Sequence, residues 1–288
     1  MSGAKLPTLY IPHGGGPCFF MDVPPGLPLN LWDGMAAYLR GIAAGIKPRP
    51  RAVLVISAHW ECPRPTVQSA ARHSLLFDYY GFPEHTYRLT YPALGSPEVA
   101  ARVRELLALA GIEAGEERER GLDHGVFVPF KLIYPQAEVP MLQLSLQTGL
   151  DPAKHLRIGY ALEPLRNEGV LIVGSGMSYH NLRDLFSEDP AARDAAQRFD
   201  DWLGRTIPAD AAARERALAQ WAQAPGAREC HPRSEHLIPL MVAAGAAGLD
   251  SGQRTYNERV LGKMISGFQF GVTDPQSAAR LPALHGQR

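Results

Sequence analysis

The sequence predicts one α/β domain with a central, largely parallel or mixed sheet flanked by helices. Three observations carry this. Short apolar runs rich in Val, Ile and Leu recur without polar alternation, as strands covered on both faces do. Helical spacing of apolar residues fills the intervals between them. No repeat and no Ser/Gly linker divides the 288 residues, a length that one large α/β domain accommodates.

Taken in order, Leu9–Ile11 is the first predicted strand and Ala52–Ile56 the second. Pro97–Ala110 reads as a helix, with Val99, Val103, Leu106, Leu107 and Ala110 on one face and Gly111 as its stop. Pro140–Leu146 is the third strand, His155–Arg166 another helix, and Val170–Val173 the fourth strand. Ala191–Gln223 is rich in Ala, with Arg, Asp and Glu on its other faces, and reads as one or two surface helices. Ser234 is placed as the cap of a helix that buries Leu237, Leu240, Met241 and Ala244. Pro239 sits awkwardly in that helix. The domain is assigned to residues 1–272, and residues 273–288 form a polar tail expected to fray.

Composition removes several function classes. Lys plus Arg and Asp plus Glu are both 29, so no net charge draws the chain to nucleic acid or to an anionic membrane, and neither is expected as a partner. Three cysteines make no disulfide scaffold. The N-terminus has no charged-then-apolar signal pattern, and the apolar stretch Leu237–Leu249 is too short to span a bilayer. A cytoplasmic, reducing setting is expected. A homodimer is one arrangement the sequence allows.

The histidines carry the functional signal. Three apolar runs end in His: LYIP before His13, AVLVISA before His59, and VLIVGSGMSY before His180. A single His after a strand is ordinarily a structural residue. Three at matching strand ends point to one site, because ligands of open α/β sheets bind beyond the carboxyl ends of the strands. His124, in GLDHG, and His236, in HPRSEH, stand in turn-like contexts. His73, His85, His155, His231 and His285 read as solvated. Neutral imidazoles suit Zn, Fe(II), Cu or Ni, and not Ca or Mg. The third ligand beside His13 and His59 is expected from the pair Glu235-His236. His236 lies nearer the apolar helix face, and Glu235 is the alternate.

Competing motifs are weaker. Cys18, Cys62 and Cys230 each lie near one of these histidines, so a mixed Cys/His zinc site is conceivable, but their spacing fits no zinc-finger pattern. Gly14-Gly15-Gly16 lacks dinucleotide spacing, and Gly174-Ser175-Gly176 does not complete a nucleophile elbow. Asp123 and His124 are adjacent, which is poor geometry for bonding each other.

The motifs PHGGGP, SAHW, YPALGSP, GLDHGVFVP, GSGMSYHNLR and HPRSEHLIPL together resemble the class III extradiol ring-cleavage dioxygenases. The branch is the one similar to DOPA 4,5-dioxygenase and related to the catalytic subunit of protocatechuate 4,5-dioxygenase. The likeness runs from about Leu6 to about Gly271. It implies a mononuclear non-haem Fe(II) held by His13, His59 and His236, with Glu235 as the alternate. It implies His180 as the acid/base group and His124 as a contact to substrate or oxygen. The expected reaction opens a small aromatic diol with O2 to a semialdehyde. Zinc is the ion expected to compete in purified protein, with His180 as a fourth ligand. The runner-up is a zinc-dependent hydrolase on the same histidines.

Overall fold

The computed structural model describes residues 5–271, and the expected frayed tail, with His285, lies outside them. In chain order the elements are β1 (Thr8–Pro12), α1 (Asp33–Gly45), β2 (Ala52–Cys62), β3 (Thr66–Gln68), α2 (Pro97–Leu109), β4 (Gly115–Glu117), α3 (His124–Ile133) and β5 (Met141–Gln147). There follow α4 (Pro152–Leu162), α5 (Pro164–Asn167), β6 (Val170–Gly176), α6 (Pro190–Thr206), α7 (Ala211–Ala219), α8 (Ala227–Cys230), α9 (Ile238–Ala247), β7 (Gly252–Val260) and β8 (Lys263–Phe270).

All eight strands form one mixed sheet, in the order β4-β3-β5-β2-β6-β1-β8-β7. The four strands expected from the apolar runs are its parallel centre, with Val173 beside both Leu9 and Val55. Antiparallel pairing begins outside them, at β3 on β5 and at β8 on β1. The β7–β8 hairpin was not expected. Its turn, Leu261-Gly262, has positive φ at both residues, the geometry a two-residue hairpin turn requires.

The centre is parallel because each strand is buried on both faces, including β5, where Gln143 and Ser145 alternate with leucines yet are buried. Val53, Leu54, Val55 and Ile56 are fully buried, as are Val170 to Val173. α9 lies across β1, β2 and β6, with α4 packed on it, while α3 packs on β2 and β6. Successive residues of β6 face these two helices alternately. A Cβ on Gly174 would stand 2.4 Å from the Pro239 carbonyl oxygen. The Ser175 hydroxyl bonds the Gly125 carbonyl instead. The Gly-Ser-Gly motif is therefore a close-approach strip, not a nucleophile elbow.

Gly176 brings this approach to the site. A Cβ there would stand 2.1 Å from the His236 carbonyl oxygen, which already accepts from Tyr10 Oη at 2.7 Å and from the Met177 N–H at 3.1 Å. Gly176→Ala should cost about 1–3 kcal/mol of stability, because backbone must move. Gly41→Ala should cost nothing, since its Cβ position is open and Ala is the better helix former. Urea unfolding of both variants checks this; equal midpoints would remove the close-approach argument.

Two local expectations are corrected. α9 begins at Ile238, so Pro239 lies in its first turn, where its missing N–H costs nothing. Ser234 gives the preceding turn its carbonyl, accepting from Leu237 and Ile238 N–H, rather than capping with its side chain. His155 and His231 are buried, not solvated. His155 Nδ1 donates to the Asp151 carbonyl at 2.7 Å, and its Nε2 accepts from the Gln147 N–H at 3.0 Å. His231 Nε2 donates to the Ser178 carbonyl at 2.9 Å. His73 is half-buried and bonded to the Met141 carbonyl, and His85 is exposed.

Buried neutral imidazoles set the acid response. Burial lowers the His155 pKa and pushes His231 from 6.5 to about 4. Above pH 6.5 both are neutral in the folded and unfolded chains, and their contribution is complete. Below it the unfolded chain binds protons that the folded chain refuses, so stability falls as pH drops from 6.5 towards 4. The urea midpoint of metal-free protein should decline within this window, above the carboxylate range. A flat midpoint there would count against it.

Candidate active site

β2, β6 and β1 are parallel neighbours, so their carboxyl ends share one edge. His13 follows β1 directly and His180 follows β6 by a short loop. His59 lies in the outer part of β2, within the register shift between Ile56 and Glu61. Such a bulge re-aims side chains, and here the Ser57 hydroxyl accepts the His59 N–H at 3.2 Å. His124 is the first residue of α3, and His236 stands two residues before α9.

These five histidines, and no other described ones, gather at that edge. His13 Nε2 and His59 Nε2 are 3.2 Å apart. Ring centroids are separated by 4.9 Å for His13–His59, 5.2 Å for His13–His236 and 4.8 Å for His59–His236. His124 stands 4.0 Å from His59 and 5.5 Å from His13. His180 stacks on His236 at 3.3 Å with planes 16° apart.

The partners at Nδ1 decide which nitrogens are open. His236 Nδ1 donates to Glu235 Oε1 at 2.9 Å, and His180 Nδ1 lies 3.1 Å from the same oxygen. His124 Nδ1 donates to Asp78 Oδ1 at 2.8 Å. His13 Nδ1 donates to the Ser175 hydroxyl at 3.1 Å, whose own hydrogen is given to Gly125. In each neutral ring this leaves the lone pair on Nε2. Oxygen partners of this kind orient metal-binding imidazoles.

Burial, then the neighbouring imidazoles, hold His13 and His59 well below the ordinary value. Burial likewise brings His236 to about 3, against the pull of Glu235. Burial works to raise the Glu235 pKa, yet hydrogen bonds from His180 and His236 hold its carboxyl far below the ordinary carboxylate value. The site therefore keeps unprotonated donors at neutral pH, which is the form a metal requires.

Two groups of three side chains have donor atoms within 4.8 Å of one another: His13, His59 and His124; and His180, Glu235 and His236. The cluster can hold a metal ion. Nitrogens about 2.0–2.1 Å from one ion stand roughly 2.8–3.4 Å apart at right to tetrahedral angles, and the His13–His59 separation falls in that range. The cysteines stand apart from both groups; Cys18 and Cys230 are buried and Cys62 is half-buried. That favours their reading as packed side chains over the mixed Cys/His site.

The sequence matches the family described as the catalytic LigB subunit of aromatic ring-opening dioxygenase over residues 7–269. The chain belongs to that family. This LigB-family protein is 35% identical over 288 residues to dioxygenase tasH of Hapsidospora irregularis, covering 93% of this chain and 86% of that one. It is 41% identical over 204 residues to 4,5-DOPA dioxygenase extradiol of Beta vulgaris, covering 70% and 75%. A crystal structure of an uncharacterized protein from Escherichia coli K12 superposes with a TM-score of 0.73 at 27% identity, covering 93% of this chain and all of that one. Family and fold thus agree with the resemblance read from the motifs.

Asp78 is the site residue that the sequence did not disclose. Its Oδ1 accepts from both Nδ1 and the backbone N–H of His124, and its Oδ2 lies 3.7 Å from His59 Nδ1. Asp123 does not pair with its neighbour His124. It is buried and takes Ser57 Oγ at 2.7 Å and Gln143 Nε2 at 2.6 Å, a network that supports the floor beneath His59.

Among the described residues no helix is long and apolar enough to cross a membrane.

Proposed function

We propose that this LigB-family chain is an Fe(II)-dependent extradiol dioxygenase that opens a catechol-type ring with O2 to a semialdehyde. The observation carrying it is the convergence of five imidazoles, four with the lone pair on Nε2, in the lining of one largely apolar cavity. We assign the metal to His13, His59 and His236. The donor atoms group His13 and His59 with His124, so His236 is taken as third ligand on the motif resemblance and on its ring position, which makes a nearly regular centroid triangle with sides of 4.9, 5.2 and 4.8 Å. Replacing His236 by His124 gives an uneven 4.9, 4.0 and 5.5 Å. Glu235 is assigned as the carboxylate that orients His236 and His180, not as the third ligand. Residues 1–272 are taken as the catalytic domain.

Bound there, a ferrous ion supplies the electronic link that lets a closed-shell catechol react with triplet O2. The remaining work falls to side chains. His180 takes a catechol hydroxyl proton onto Nε2 and returns it later in the cycle. Glu235, bonded at Nδ1, balances the charge His180 then carries. His124 offers Nε2 to a substrate hydroxyl and, once protonated, donates to a developing oxyanion while Asp78 balances it. Trp32 and Phe82 in the cavity wall exclude water.

Anaerobic Fe(II) loading followed by a catechol panel in an oxygen electrode tests this. DOPA belongs in the panel, because several relatives carry its name. Oxygen uptake with a ring-fission absorbance is expected. Activity only with zinc, on a hydrolysable substrate and without oxygen uptake, would establish the zinc hydrolase instead.

A further inference from the structure

We propose that the preferred substrate is an uncharged catechol with an apolar substituent, not a carboxylated one. This rests on the ring-opening reading above. The cavity beside the histidines measures about 360 Å³. A cavity of about 150 Å³ suffices for one benzene, so space remains beyond the diol ring. Away from the histidines the wall is apolar, with Leu27, Leu31, Trp32, Phe82, Leu185 and Ile265. Among the described residues no Lys or Arg lines it.

The wall offers an anion no charged partner; its uncharged donors are the Tyr179 hydroxyl, buried without a hydrogen-bond partner, and the backbone of the Gly14–Gly16 turn. Asp22 is the wall's one carboxylate; it is exposed and repels negative charge. Asn181 is committed elsewhere. Its Nδ2 donates to Asp184 Oδ2 and to the Glu229 carbonyl, both at 2.8 Å, and its Oδ1 accepts from Arg183 N–H at 3.1 Å. Arg233 lines an adjoining opening that shares His59, His180, Leu182 and His236 with this cavity, but it is bonded to Glu61 and lies 3.3 Å from Glu235 Oε2, so its charge is matched twice. A carboxylate entering the apolar wall would lose its water and gain no cationic partner. Two residues of the wall, Leu182 and Phe186, are each 67% exposed, an apolar lip that an alkyl or aryl substituent would cover.

The test compares catechol, 4-propylcatechol, 3-(3,4-dihydroxyphenyl)propionate and its methyl ester on iron-loaded protein. The acid and its ester have nearly the same length and differ in charge. Oxygen uptake gives kcat/KM, and anaerobic calorimetry gives Kd. We expect 4-propylcatechol and the ester to exceed the acid by about 10²-fold in kcat/KM, with Kd ordered the same way. An acid that equals or beats 4-propylcatechol while catechol itself is turned over overturns the inference alone. It would place the anion on backbone N–H groups of the Gly14–Gly16 turn. Absence of turnover with every catechol defeats the ring-opening reading. The calorimetric order then decides the cavity's preference, and binding of the acid as tight as the alkyl compound overturns it.

Discussion

His59→Ala should lose metal and turnover together. The His59 imidazole is the link between the other two assigned ligands, with Nε2 3.2 Å from His13 Nε2 and its ring 4.8 Å from that of His236. Loss of a residue that merely orients a ligand lowers metal affinity by about 10–100-fold, so loss of a ligand should cost more than that. Iron retained after anaerobic loading and desalting should fall far below one per chain, with turnover falling in proportion. The fold should persist. His59 is partly exposed, and Ser57 still bonds Asp123 when the imidazole is gone. Its removal also takes away a neighbour that disfavours charge on His13. Metal analysis, circular dichroism and oxygen uptake on one preparation check the whole statement. A folded variant with stoichiometric iron would take His59 off the ligand list.

What the sequence disclosed follows from what leaves a local trace. The four central strands were legible because burial on both faces fills them with apolar residues, unbroken over Ala52–Ile56 of β2 and Val170–Val173 of β6 and interrupted in β5 only by the buried Gln143 and Ser145. Their shared direction then placed His13, His59 and His180 at one edge. The outer strands left less. β3 and β4 are three residues each, too short for a pattern. β7 carries Arg254, Asn257, Glu258 and Arg259 in an edge strand, and its turn uses Leu261 where Asn or Gly is usual. His155 and His231 looked solvated because their partners are backbone groups, which no side-chain pattern announces. Asp78 was hidden for a different reason. It meets His124 across 46 positions, and nothing near either residue marks the pairing. Glu235 was visible as a neighbour of His236. Its actual work, one oxygen shared between two imidazoles, is a tertiary fact.

His180→Ala should keep most of its iron and lose about 10²–10⁴-fold in turnover, the usual contribution of a general acid/base group. His180 differs from the three assigned ligands in its setting. It is partly exposed, and its ring lies flat against His236 at 3.3 Å, so it flanks the assigned triad. Its Nδ1 shares Glu235 Oε1 with His236, which allows a proton gained at Nε2 to be balanced at once. A structural role would predict a loosened loop after substitution. The loop is held by other bonds: the His180 N–H to the Cys230 carbonyl at 3.0 Å, and Asn181 to Asp184, Glu229 and Arg183. None of these needs the imidazole. The melting temperature should therefore change little, and KM less than kcat. The pH–rate profile should lose the limb that belongs to the base, which a structural role would leave in place. Near-normal turnover removes His180 from the catalytic assignment. Iron loss equal to that of His59→Ala makes it a ligand, the fourth position expected with zinc.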